Sequence, residues 1–148
     1  MQTYMKNNNY CNLATVSHDG KPWNTPLFFV NKDKIIYWWS PLNAVHSQNI
    51  INNGNAFITI YNSTTPVGKG DGVCLYMECK SVLVDDEDER NAAIKLFNNK
   101  VSDENFYLNE KNTTGDAPTR LFRANILQSW LNADGEENGY FVDFRKRL

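Results

Sequence analysis

Five bulky residues follow one another without a break, Ile35-Ile36-Tyr37-Trp38-Trp39. Successive side chains of a strand point to opposite faces, so no single core can take all five. A strand of this kind needs cover on both faces. It leads into SPLNAVHSQN, where Ser40-Pro41 or Asn43 can open a helix. The first turn of that helix offers free N–H groups and the positive end of its dipole, which favour an anion. A flat apolar wall beside an anion site is therefore built into Lys34 to Asn49.

The rest of the chain reads mostly as strands. Cys11 to Ser17 and Trp23 to Val30 flank His18-Asp19-Gly20-Lys21, and Asp-Gly between apolar runs is a hairpin signal. Asn31 to Lys34 makes a second polar turn before the aromatic strand. The helix that follows should stop near Asn53, because Gly54 suits a left-handed cap. Asn55 to Asn62 returns as a strand, and Ser63 to Gly72 reads as an irregular, exposed loop. In Val73 to Val84, Val73, Leu75, Met77 and Cys79 alternate with more polar neighbours, the pattern of a strand with one drier face. Asp86 with Glu89 resembles a capping box, and Ile94, Phe97 and Val101 continue at helical spacing, so Asp86 to Lys100 is an amphipathic helix. Asn105 to Pro118 reads as polar connection. Arg120 to Ile126 and Gly139 to Arg145 close the pattern around a turn at Asp134-Gly135. Six or seven strands in near-meander order, with two or three helices, predict a mainly β protein, an antiparallel barrel decorated by helices.

Composition narrows the partners. With 148 residues and 41% hydrophobic content, the chain can bury the core of one domain, residues 1–148. A net charge of -2 offers no basic field for nucleic acid. No apolar run reaches the roughly 20 residues of a membrane span, and Met1 to Tyr10 lacks the apolar stretch of a signal peptide. Three cysteines, Cys11, Cys74 and Cys79, leave one over in any disulfide scheme, which suits a reducing compartment. These features predict a soluble, cytoplasmic protein that binds neither nucleic acid nor membrane. His18 and His46 stand far apart and give no zinc spacing, so no metal is expected. There is no Gly-x-Ser-x-Gly elbow, no dinucleotide-binding glycine pattern and no Walker spacing in GKGDG. No side chain is assigned as catalytic. If the chain is an enzyme, a bound cofactor is the reactive group.

LATVSHDGKPWNTPLFFV, the aromatic strand ending in WWS, the helix containing HSQNI, the strand after the Gly-rich loop and RLFRANILQSWLN come in a telling order. Together, over Tyr10 to Asn132, they resemble the FMN-binding split barrel of the pyridoxamine 5'-phosphate oxidase-like superfamily. The resemblance implies a homodimer with FMN in grooves at the subunit interface. It places Thr25, Pro26 and Leu27 against the flavin and its phosphate, and Trp38, Trp39 and Ser40 along the isoalloxazine. It also places Val45, His46, Ser47, Gln48 and Asn49 at the phosphate, and Trp130 near the flavin. Arginine and lysine are common at that helix start, and arginine at the position of Thr25, so this phosphate site is less basic than the usual pattern. The chain is also short for a standard pyridoxamine phosphate oxidase.

Each of these residues has a plainer reading. Trp38 and Trp39 are packing groups in their own right, and the resemblance favours one of them facing the groove while the other packs. His46 either faces solvent or, with Ser47, donates to phosphate. Lys69 either reaches a phosphate or substrate or stays solvated, and Trp130 could plug the barrel. Asp85 to Glu89 is a solvated helix start that complements the dipole. The leading expectation is an FMN-dependent oxidoreductase that passes hydride or electrons between flavin and a small substrate. The alternative is a non-catalytic flavin- or haem-binding carrier on the same fold, and a deazaflavin-using relative is a third possibility.

Overall fold

The computed structural model describes residues 1–66, 68 and 72–148. The hairpin around Asp19-Gly20 forms as its turn sequence indicates. β1 (Tyr10–Val16) pairs with β2 (Pro22–Phe28) from Tyr10↔Phe28 to Val16↔Pro22. The strand expected over Trp23 to Val30 is broken at Phe29, whose ring is fully buried, and resumes as β3 (Val30–Lys32). A turn through Asp33, at φ 52, reverses the chain into β4 (Ile35–Pro41).

Then follow α2 (Val45–Asn53), β5 (Asn55–Tyr61), β6 (Cys74–Leu83), α3 (Glu87–Lys100), β7 (Thr119–Glu137) and β8 (Tyr140–Arg147). A short helix, α1 (Gln2–Lys6), precedes them and was not foreseen from the sequence. The connection from Asn105 to Pro118 carries two short 3-10 turns. Part of the Ser63 to Gly72 loop, with Lys69, lies outside the described residues.

All strand pairs are antiparallel, in the order β2-β1-β5-β6-β7-β4-β3, with β8 on β7. The two ends of this path, β2 and β3, are one stretch of chain separated by Phe29, so the sheet closes on itself. Closure is incomplete. Three residues of β3 pair with β4, and among the described residues no ladder joins β2 to β4. The protein is the split barrel that the sequence suggested, with α2 packed on β1, β2 and β6 at the split.

The aromatic strand is covered as its composition demands. Ile36 and Trp38 point into the barrel, where they meet Phe29, Leu75, Met77 and Phe122. Tyr37 turns outward under α3, against Phe97 and Leu121, with Ile35 beside them. Trp39 lies past the end of that cover and is 42% exposed.

Two expectations change. The helix start lies not at Ser40-Pro41 or Asn43 but at Ala44, which caps without a side chain. Ser40 and Pro41 stay in β4, paired with Arg120 and Thr119. The closing turn lies at Asn138-Gly139 rather than Asp134-Gly135. Both Asn138 (φ 54) and Gly139 (φ 80) take the left-handed region that a two-residue hairpin turn requires. Gly135 is instead a strand residue opposite Val142, and a Cβ there would collide with the ring of Phe144.

Candidate functional site

The split makes the site. The pair Val30↔Tyr37 in the β3–β4 ladder brings Phe28 level with Trp39, and beyond that point β2 and β4 part. Both side chains face outward and line a groove of about 460 Å³ with Tyr10, Phe97, Phe106, Leu108 and Lys100. Tyr10 packs edge-on against Phe28 at 6.0 Å, and Phe28 meets Phe97 at 5.8 Å. The walls are thus fixed aromatic faces, the shape that takes a flat ligand.

Lys100, the last residue of α3, stands in this groove. Its Nζ donates to the carbonyl oxygens of Asn8 (2.8 Å) and Phe29 (3.1 Å). It lies 4.6 Å from the Phe29 ring centroid and 5.4 Å from that of Phe28. Burial holds its pKa below the ordinary lysine value.

The start of α2 lies past Trp39 along β4. Its cap residue contributes no side-chain bond, so the N–H groups of the first turn are open to an acceptor. His46 is buried there, with Nε2 2.9 Å from Ser40 Oγ, and burial pushes its pKa below the usual 6.5. Its contact with Ser40 ties the helix to β4. Asn49 donates to Thr15 Oγ1 at 3.0 Å and Asn53 to the Val16 carbonyl at 2.9 Å, which tie the same helix to β1. Ser47 Oγ and Trp38 Nε1 are buried and find no hydrogen-bond partner among the described residues.

The expected site residues divide by exposure. Leu27, Trp38, Ser40, His46, Ser47 and Asn49 are buried within the chain, whereas Pro26, Trp39, Val45 and Gln48 are exposed. Thr25 is half-buried and accepts from Trp23 Nε1 at 2.9 Å. Pro26 borders a separate hollow of about 220 Å³ with Tyr10 and Tyr61. Gln48 donates to the Leu42 carbonyl. The two tryptophans part ways: Trp38 stacks on Phe122 at 5.7 Å with the rings 8° apart, and Trp39 walls the groove. β2, the end of β4 and α2 thus come together. Trp130 does not join them, because it sits on β7 opposite Tyr76 and stacks on Phe57 of β5 at 6.3 Å. Lys69 lies outside the described residues. Sequence reasoning missed Tyr10, Phe28, Phe106 and Lys100. The three-residue spacing from Phe97 to Lys100, which puts both on one helix face, was the available signal.

These residues suit FMN unequally. The aromatic walls fit an isoalloxazine. For a phosphate, α2 supplies its open N–H groups and dipole but carries no lysine or arginine. Among the described residues no cluster of three or more His, Cys, Asp or Glu side chains could hold a metal ion. No described helix is long and apolar enough to cross a membrane.

Fold and groove define the class: an antiparallel split barrel open between β2 and β4. The chain belongs to the pyridoxamine 5'-phosphate oxidase family, whose model matches residues 1–132. No curated protein matches it in sequence. Among solved structures it is similar to a haem-binding protein from Mycobacterium smegmatis, at 14% identity and a TM-score of 0.73, covering 97% of this chain and 55% of that one. It is also similar to HutZ, the haem storage protein of Vibrio cholerae, at 16% identity and a TM-score of 0.69, covering 98% and 93%. An FAD-binding protein from Mesorhizobium loti aligns at 17% identity and a TM-score of 0.64, covering 86% and 88%. At such identities the likeness is one of fold.

Proposed function

We propose that this chain binds FMN along the split between β2 and β4 and works, as a homodimer, as an FMN-dependent oxidoreductase acting on a small substrate. The observation that carries this reading is the exposed Trp39 beside Phe28, where the sheet parts and an uncapped helix start follows. Trp39, Phe28 and Tyr10 offer flat apolar surfaces that exclude water from a ring. The first N–H groups of α2 donate to the phosphate, and His46, bonded to Ser40, keeps that helix end in place. Bound FMN would supply the hydride or electron transfer. Family membership and the FAD-binding name of one structural neighbour support a flavin. They leave the reaction open, since a fold hosts many chemistries.

A second reading, a carrier of flavin or haem without turnover, is favoured by the lack of a side-chain cation at the α2 start. Two of the similar structures are named for haem. Purified protein offered FMN and haemin separately decides between them. The expected result is FMN uptake with flavin absorbance, reduction by a nicotinamide donor with turnover, and FMN affinity about tenfold weaker in Trp39→Ala. Uptake of haemin alone, or of FMN without turnover, establishes the carrier. Protein that takes up neither ends both readings.

A further inference from the structure

Lys100 is the one charged side chain among those lining the Trp39 groove. An ammonium has three N–H donors, and the carbonyls of Asn8 and Phe29 take two of them. Those partners are dipoles and the rings of Phe28 and Phe29 are quadrupoles, so none of them cancels the charge. The ion pairs among the described residues are Lys21 with Asp19, Arg123 with Glu89 and Arg145 with Asp143, and Lys100 has no such partner. A half-buried cation costs desolvation free energy that a bound anion would offset. This one stands in a groove whose other lining is mostly apolar and aromatic, of a volume within the roughly 300–1,000 Å³ of small-molecule sites.

We infer that the groove takes an organic acid with a flat apolar body: its carboxylate meets the remaining donor of Lys100, and its body lies against Phe97, Phe106 and Leu108, leaving the Trp39 and Phe28 faces to the flavin. This rests on the proposed ligand site and names the class of substrate it accepts, a planar carboxylate. A few polar groups in an apolar groove set orientation, and here the single cation sets it. A neutral ester still offers a carbonyl acceptor to the third ammonium hydrogen but brings no negative charge to offset the half-buried cation, so the acid is preferred through the charge-assisted bond. Lys100 also ties α3 to the strand ends at Asn8 and Phe29, and a purely structural role would give no preference between an acid and its ester.

The experiment is calorimetric titration with 2-naphthoate and, in parallel, its neutral methyl ester. Wild-type protein is expected to bind the acid at least about tenfold more tightly than the ester. Lys100→Met keeps the apolar stem and should bring the acid down to the level of the ester, with thermal melting run alongside to confirm folding. If that variant does not fold, Phe106→Glu serves instead. Phe106 is exposed and away from the ties of Lys100; replacing it costs both ligands an apolar contact, and the added carboxylate should weaken the acid more than the ester. Equal affinities of wild type for acid and ester, no binding of the acid, an unchanged acid affinity in folded Lys100→Met, or equal losses for acid and ester in Phe106→Glu would each overturn the assignment. FMN uptake is measured on the same samples. Flavin binding without acid selectivity removes this inference alone, whereas acid selectivity without flavin binding removes the flavin reading and leaves the acid site standing.

Discussion

Gly54 ends α2 at φ +67, and a Cβ on it would stand 2.6 Å from the carbonyl oxygen of Ser81. Left-handed backbone and close approach act together there, so Gly54→Ala should cost about 1–3 kcal/mol. Urea unfolding checks this, and an unchanged midpoint would show that the β5–β6 contact yields freely. Gly54 was readable because a glycine after a helical run has few other uses. His46 was not. Its solvent-facing alternative depended on which way α2 rolls, and the structure buries the ring against Ser40, six residues back.

Burial also gives His46 a pH signature. The folded protein holds its pKa below the unfolded value near 6.5, so the unfolded chain binds the extra proton more readily. Its contribution to stability is full above that value and is lost as pH falls through about 6.5 toward the depressed folded pKa. His46→Gln should flatten this part of the pH profile of urea midpoints. A variant that follows the wild-type profile would place the acid sensitivity elsewhere.

At the scale of elements, the helix signalled by Asp86 and Glu89 forms as read, and Asp86 accepts the Glu89 N–H at 2.7 Å. Glu89 then does something no local pattern announces. It takes the Tyr37 hydroxyl at 2.8 Å and the Arg123 guanidinium at 3.0 Å, pinning α3 to β4 and β7. Asp86→Ala should therefore cost about 1 kcal/mol through the cap, with the Glu89 contacts still made. A loss several times larger, read from thermal melting, would mean that the cap also orients Glu89. The strands, α2 and α3 were legible because period and turn residues are local. The bend at Phe29, α1 and the choice of Asn138-Gly139 over Asp134-Gly135 were not. Both dipeptides can turn a hairpin, and the fit of the Phe144 ring over Gly135, a cross-strand fact, selects between them. The groove was half legible for the same reason. Trp39 announced itself within a strand, but Tyr10, Phe28 and Lys100 reach it from three other elements.

At the scale of the whole molecule, the proposed homodimer can be argued from the β7–β8 ribbon. β6 leaves β7 at Leu75↔Leu131, while β7 and β8 continue pairing from Asn132↔Arg145 to Glu137↔Tyr140. Two strands on their own are at best marginally stable in water, and this pair exposes Tyr140, Phe141 and Phe144. Its tip carries Asp134, Glu136 and Glu137, and its base carries Arg145, Lys146 and Arg147. A second copy laid antiparallel about a two-fold axis would set acidic tip against basic base twice over and cover the aromatics, the self-complementarity that an isologous contact needs. Sedimentation should accordingly give twice the 17.0 kDa of one chain, weakening as salt rises. The double variant Phe141→Ser with Phe144→Ser should sediment as a single chain. Wild type that stays single at every concentration would end the dimer. A dimer that survives the double variant would move the contact off the ribbon and onto another exposed surface.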